Sequence, residues 1–155
     1  MRAQRHRLAD RKAELLARWV KAATDERLEA VMRGLHRRVL LWQIFRTMRQ
    51  RVDPDRGWGG DAVVEFRIRR HRADGVDRYQ LAVADGRCTT TRSAKRTPTL
   101  TLEMQPVVFL RLVGGAASAP ALILTRKLRV SGDLLLAARL PTLLKIPRPT
   151  SRARD

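Results

Sequence analysis

The spacing of apolar residues changes several times along the chain, and each change predicts an element. From Leu8 to Ala23, the residues Leu8, Leu15, Leu16, Trp19, Val20 and Ala23 fall at helical spacing, with Arg11, Lys12, Arg18 and Lys21 elsewhere around the helix. Thr24-Asp25 reads as a break followed by a new cap. A second helix is predicted from about Glu26 to Gln50, burying Leu28, Val31, Met32, Leu35, Val39, Trp42 and Phe45. Gly34 within it costs about 1 kcal/mol relative to alanine and predicts a kink or a close helix contact. Turn formers between Asp53 and Asp61 end this helical region.

A period of two follows. Val64, Phe66 and Ile68 alternate with Glu65, Arg67 and Arg69, and after Asp74-Gly75 the residues Tyr79, Leu81 and Val83 alternate again. Asp85-Gly86 is a second hairpin signal, leading into Arg87 to Ser93. Pro98 opens a strand in which Leu100 and Leu102 alternate with Thr99, Thr101 and Glu103. The pattern predicts an antiparallel meander of four strands with one apolar face and one wet face. Met104 to Val113 returns to helical spacing through Val107, Val108, Leu110 and Leu112, with Pro106 suited to the first turn and Gly114-Gly115 as the stop. Ala116 to Leu124 predicts a short helix after Pro120, ahead of a strand at Lys127.

The last change of period is the sharpest. Lys127-Leu128-Arg129-Val130 alternates, Ser131-Gly132-Asp133 punctuates, and Leu134 to Leu144 is a leucine-rich helix with Asp133 as its N-cap. Only Arg139 and Thr142 are clearly polar before Lys145. A helix apolar nearly all round buries most of its circumference or closes over something apolar. Pro141 lacks a backbone donor and would crowd Ala137, so two short pieces are expected, with Thr142 to Ile146 the more mobile. The basic, proline-broken residues 148–155 are expected to form a mobile tail.

Composition bounds this picture. At 155 residues with 44% hydrophobic content, one domain burying roughly two-thirds of its unfolded surface is expected. An aromatic share of 5% predicts a core of Leu, Val, Ile and Ala rather than of rings. No apolar run approaches the ~20 residues of a membrane span, and MRAQRHRLADRK is not followed by the apolar stretch of a secretory signal. A single cysteine, Cys88, excludes an internal disulfide and fits a reducing compartment, so a cytoplasmic location is expected.

Charge adds a partner class. The net charge is +18, and arginine supplies 28 of the 33 basic residues. Residues 1–51 carry 14 Lys and Arg against 5 Asp and Glu, residues 52–125 carry 11 against 8, and residues 126–155 carry 8 against 2. Such a field attracts nucleic acid or acidic lipid headgroups. A GC-rich coding sequence gives the same arginine bias, so the bias alone does not choose between them. The first helix can be a basic segment on a membrane surface. Docking on the domain with its arginines in solvent is the preferred reading, because basic faces are common on soluble helices.

The residues of catalysis are absent from any useful spacing. His6, His36 and His71 do not share a helical face or a strand, and Cys88 has no neighbouring ligand, so neither a metal nor a cofactor is expected. Gly114-Gly115 lacks the Lys-Ser/Thr of a phosphate loop, and no serine sits in a nucleophile elbow. Carboxylates are few and scattered. Catalysis is not expected.

Several blocks carry a resemblance. They are Asp85-Gly86 after the strand Tyr79–Ala84, Thr99-Leu100-Thr101-Leu102, and Phe109-Leu110-Arg111-Leu112-Val113-Gly114-Gly115. The most specific is Lys127-Leu128-Arg129-Val130-Ser131-Gly132-Asp133 followed by Leu134-Leu135-Leu136-Ala137. In this order the chain, from about residue 27 to 147, resembles the sterol carrier protein 2 family. The resemblance implies an α/β (α+β) fold, a five-stranded mostly antiparallel sheet with helices on one face enclosing an apolar tunnel, plus N-terminal helices. Residues 1 to about 25 and the tail lie outside the resemblance, so three segments are expected: a basic amphipathic helix (1–25), a lipid-binding domain (26–147) and a basic tail (148–155). It also implies non-catalytic binding and transfer or presentation of a sterol, isoprenoid or acyl lipid, and the arginine charge makes acidic membranes the expected place of exchange. The lining expected is Phe66, Ile68, Leu81, Val83, Leu100 and Leu102 from strands. Helices would add Val108, Phe109, Leu112, Leu122, Leu135, Leu136, Leu140 and Leu144. Two alternatives stand beside it: a basic nucleic-acid-binding module, and an accessory subunit with a protein partner in lipid or quinone synthesis.

Overall fold

Helix α1 (Arg2–Ala22) opens the computed structural model, which describes residues 2–70, 75–93 and 95–147. Asp74, His71 and residues 148–155, on which the first hairpin turn, one histidine and the tail were placed, lie outside the described residues. α1 buries its small side: Ala9, Ala17 and Val20, with Ala23 just past its end, are buried, whereas Leu8 and Leu15 are exposed. Thr24 caps α2 (Asp25–Arg33), its hydroxyl accepting from the Arg27 amide at 3.4 Å.

The single helix expected over residues 26–50 is two. Gly34 is extended, with ψ −177°, so the amide ladder stops and α3 (His36–Arg51) restarts with a new rotational phase. Leu28 and Met32 are buried as expected, but beyond the break the buried stripe is Leu41, Ile44, Phe45 and Met48. Leu35, Val39 and Trp42, expected inside, are exposed by 91%, 63% and 49%. Trp42 instead carries the Arg46 guanidinium 4.9 Å from its ring centre.

Strands β1 (Ala62–Arg69), β2 (Val76–Ala84), β3 (Arg87–Thr91), β4 (Leu100–Met104) and β5 (Leu128–Gly132) form one sheet in the order β3-β2-β1-β4-β5. Asp85 and Gly86, at φ 52° and 68°, make the tight turn between β2 and β3. The four-stranded meander is corrected at β4, which pairs parallel with β1 while every other pairing is antiparallel. The segment from β3 to β4 crosses the face opposite the helices and is tied down there by Gln80. The Gln80 amide donates to the Arg96 carbonyl at 2.7 Å and to Glu65 at 3.1 Å, and its oxygen accepts from the Arg96 amide at 3.1 Å. That crossing buries Glu65 and Gln80 on what should be the wet face, and Arg67 donates to the Glu65 carboxylate at 2.6 Å.

Val64, Phe66, Ile68, Tyr79, Leu81, Val83, Leu100, Leu102 and Met104 alternate onto the other face, which α3, α4 (Pro106–Val113), α5 (Ala119–Leu124) and α6 (Leu134–Leu143) cover. The centre is more aromatic than composition suggests. Phe45 stacks on Tyr79 at 4.5 Å and meets Phe66 and Phe109 at 5.2 and 5.5 Å, so few rings are concentrated at one point. Arg111 of α4 donates to the Val20 and Ala23 carbonyls and to Asp25. It thereby fixes the α1–α2 junction to the rest of the molecule.

Candidate functional site

Gly132 and Asp133 determine how α6 lies. Gly132 has φ 103°, and a Cβ there would strike the Thr99 carbonyl, so this close crossing of β4 requires glycine. Asp133 then accepts from the Leu136 amide at 3.0 Å and starts the helix. The expected division at Pro141 does not occur. Pro141 falls in the last turn, only one ladder bond is missing, and the Leu144 amide donates to Leu140 at 2.8 Å beyond it. Nor does α6 bury most of its circumference. Leu136 and Leu140 are buried, while Leu134 and Leu135 are exposed by 66% and 74%.

The remaining apolar surface of α6 faces a cavity of about 670 Å3. Phe66, Leu102, Leu128 and Val130 contribute from β1, β4 and β5. Leu112 and Val113 of α4, and Ala119, Pro120, Ile123 and Leu124 of α5, contribute from the helix layer. Leu134, Ala137, Ala138, Leu140 and Pro141 of α6 close it with Leu144 and Ile146. Ile123, Leu124 and Leu134 also reach solvent, so the cavity is a groove with an apolar rim. Every lining residue is apolar. Such a site has no side-chain acid, base, nucleophile or hydrogen-bonding director, and it can select only by shape and burial.

Of the lining expected from sequence, Phe66, Leu102, Leu112, Leu140 and Leu144 reach the groove. Ile68, Leu81, Val83, Leu100, Phe109 and Leu136 are buried in the core away from it, and Leu135 points to solvent. Val108 and Leu122 line a second cleft of about 520 Å3, which is polar, with Arg69, Arg111, Arg126, Lys127 and Arg129 facing Asp25, Glu29 and Glu103. Sequence reasoning missed the α5 wall and the outer strand β5. The alternation of Leu128 and Val130 was the available signal, since it places both on the helix side of the sheet.

Unlike the polar cleft, the groove is lined by apolar residues alone, and chemistry elsewhere is sparse. No group of three His, Cys, Asp or Glu among the described residues could hold a metal ion. No helix among them is long and apolar enough to cross a membrane. Burial pushes the Cys88 thiol up to about 11, against a smaller lowering by Arg49, which keeps it protonated and unreactive.

The sequence model of the SCP-2 sterol transfer family matches residues 46–145, from α3 through the closing turn of the groove. The chain belongs to the SCP-2 sterol transfer family. Lipid binding in the general sense goes with that membership. Among solved structures, sterol carrier protein 2 like 2 from Aedes aegypti is 21% identical with a TM-score of 0.55, covering 68% of this chain and 97% of its own. The solution structure of palmitated SCP2L2 from Aedes aegypti is 21% identical with a TM-score of 0.51, covering 68% and 94%. The MycE methyltransferase of mycinamycin biosynthesis is 14% identical with a TM-score of 0.58, covering 86% of this chain but 36% of the enzyme. These likenesses establish the SCP-2 fold and no more. No curated protein sequence matches the chain.

Proposed function

We propose that the protein binds one lipid molecule in the groove, without catalysis, and exchanges it at acidic membrane surfaces. The all-apolar lining is the observation that carries this reading. A volume of about 670 Å3 lies within the ~300–1,000 Å3 of ordinary ligand sites. Each methylene buried there gains about 0.8 kcal/mol, so an acyl chain is held without any polar contact. Palmitated SCP2L2 from Aedes aegypti, which shares the fold, supports an acyl chain as one occupant.

The rim supports the place of exchange. Ile123, Leu124 and Leu134 lie exposed, and the exposed Arg126 and Lys127 follow Leu124 closely in the chain, in a protein of net charge +18. An apolar mouth with a cationic border suits an acidic bilayer, where each nearby basic side chain contributes ~1 kcal/mol. On this reading residues 26–147 are the lipid-binding unit, α1 supports α3 beneath it, and the protein works in the cytoplasm as a peripheral membrane protein.

Ala138→Trp is the direct test. Ala138 is exposed on the groove side of α6, so an indole there fills the mouth without entering the core. The variant should unfold as the wild type does and take up a fluorescent acyl probe at least about tenfold less well, the loss of a few buried methylenes. Undiminished uptake would place the lipid elsewhere. Transfer between vesicles should be faster to acidic than to zwitterionic acceptors and slow with added salt.

A further inference from the structure

The groove and the polar cleft share a wall, and the sequence of that wall sorts cleanly between them. From α5 into β5, Leu122 faces the cleft, Ile123 and Leu124 the groove, and Arg126 and Lys127 the cleft. Leu128 then faces the groove, Arg129 the cleft and Val130 the groove. Strand alternation thus places cations back to back with the apolar lining.

The charges in the cleft are not equally engaged. Arg111 is spent on Asp25 and two carbonyls, and Arg69 holds Glu103 at 2.7 Å. Glu29 pairs with Arg33. The side chains of Arg126, Lys127 and Arg129 make no hydrogen bond or ion pair with the described residues, although Arg129 stands opposite Glu103 in the β4–β5 register. Arg126 is also held at φ 58°, a left-handed conformation that strains a non-glycine residue. A glycine would make the same turn at less cost, so the arginine is unfavourable for the fold alone.

We propose that the protein recognises lipids bearing an anionic head, phosphate or carboxylate, held by Arg126, Lys127 and Arg129 while the tail lies in the groove. The proposal rests on the groove holding the tail. The head passes over the exposed rim at Leu124, two residues from Arg126, so the chain and its charge occupy opposite sides of one short segment. A neutral lipid of the same chain length fills the groove but leaves the three cations in water. Head charge, rather than tail shape, then separates ligands.

Dodecyl phosphate and 1-dodecanol, each dissolved below its aggregation limit and without vesicles, test this by equilibrium partition. Wild type should bind the phosphate at least about tenfold more tightly, a preference that shrinks as salt is raised. The variant carrying Arg126→Gly, Lys127→Gln and Arg129→Gln should bind dodecanol as wild type does and lose the preference. Its stability should not fall, because glycine is favoured at the left-handed turn and the other two positions are exposed. Lys127→Gln alone, which leaves that turn untouched, should lose part of the preference.

A preference retained by the triple variant, or absent from wild type, would overturn the head site while leaving the groove intact. Inorganic phosphate binding as tightly as dodecyl phosphate, and unaffected by Ala138→Trp, would mark a site for free anions and overturn the proposal. Binding of neither lipid by wild type would remove the groove reading and this one with it.

Discussion

Two side chains outside the groove show what burial does to a polar group. Glu65 is 1% exposed and accepts from Arg67 at 2.6 Å and from Gln80 at 3.1 Å. Arg67→Ala should cost about 2–3 kcal/mol in urea unfolding, below the full cost of breaking a buried pair because water reaches the outer part of Arg67. A loss under about 0.5 kcal/mol would mean that Glu65 is satisfied without it. Cys88 has no such partner among the described residues, and burial raises its thiol from 9.0 to about 11. At pH 8 it should react with iodoacetamide at least about 100-fold more slowly than the unfolded chain, whose thiolate fraction is far larger. Because the folded pKa is the higher one, the associated stability is fully present below pH 9.0 and is lost as pH rises through about 11. Alkylation at equal rates in native buffer and in urea would contradict this.

Among elements, α6 carries the account. Its position depends on Gly132, where a Cβ would meet the Thr99 backbone and φ is 103°. Gly132→Ala should destabilise by about 2–4 kcal/mol and weaken acyl-probe uptake in the remaining folded protein, since α6 can no longer return over β4 and β5. Normal stability and uptake would show that another feature aims the helix. Most element boundaries, the break at Gly34 aside, were legible in the sequence because their signals are local. Thr24 and Asp133 as caps, Asp85-Gly86 as a turn, Pro106 as a first helical residue and Gly114-Gly115 as a stop all act within a few residues. What was not legible depends on distant partners. The phase of α3 beyond Gly34 is set by what it packs on, and the seat of β4 beside β1 is set by the Gln80–Arg96 crossing. The groove was half legible for the same reason. The excess apolar surface of α6 was visible, but Ile68, Leu81 and Leu100 face the core and Leu128 and Val130 face the groove only through the sheet order.

At the scale of the whole molecule, the fold separates two kinds of surface with one segment. A sheet with one apolar face, a helix layer anchored to α1 through Arg111, and an outer strand with cations on one side and leucine and valine on the other build an all-apolar groove. A polar enzyme site would require directors that this groove lacks. A nucleic-acid module would leave it without an occupant. Native mass spectrometry of gently purified protein, with extraction and identification of whatever co-purifies, tests the central claim most directly. The account predicts a one-to-one adduct with the mass of a lipid, which is lost in Ala138→Trp. A clean mass for the bare chain, together with no uptake of acyl or sterol probes by the folded protein, would contradict it.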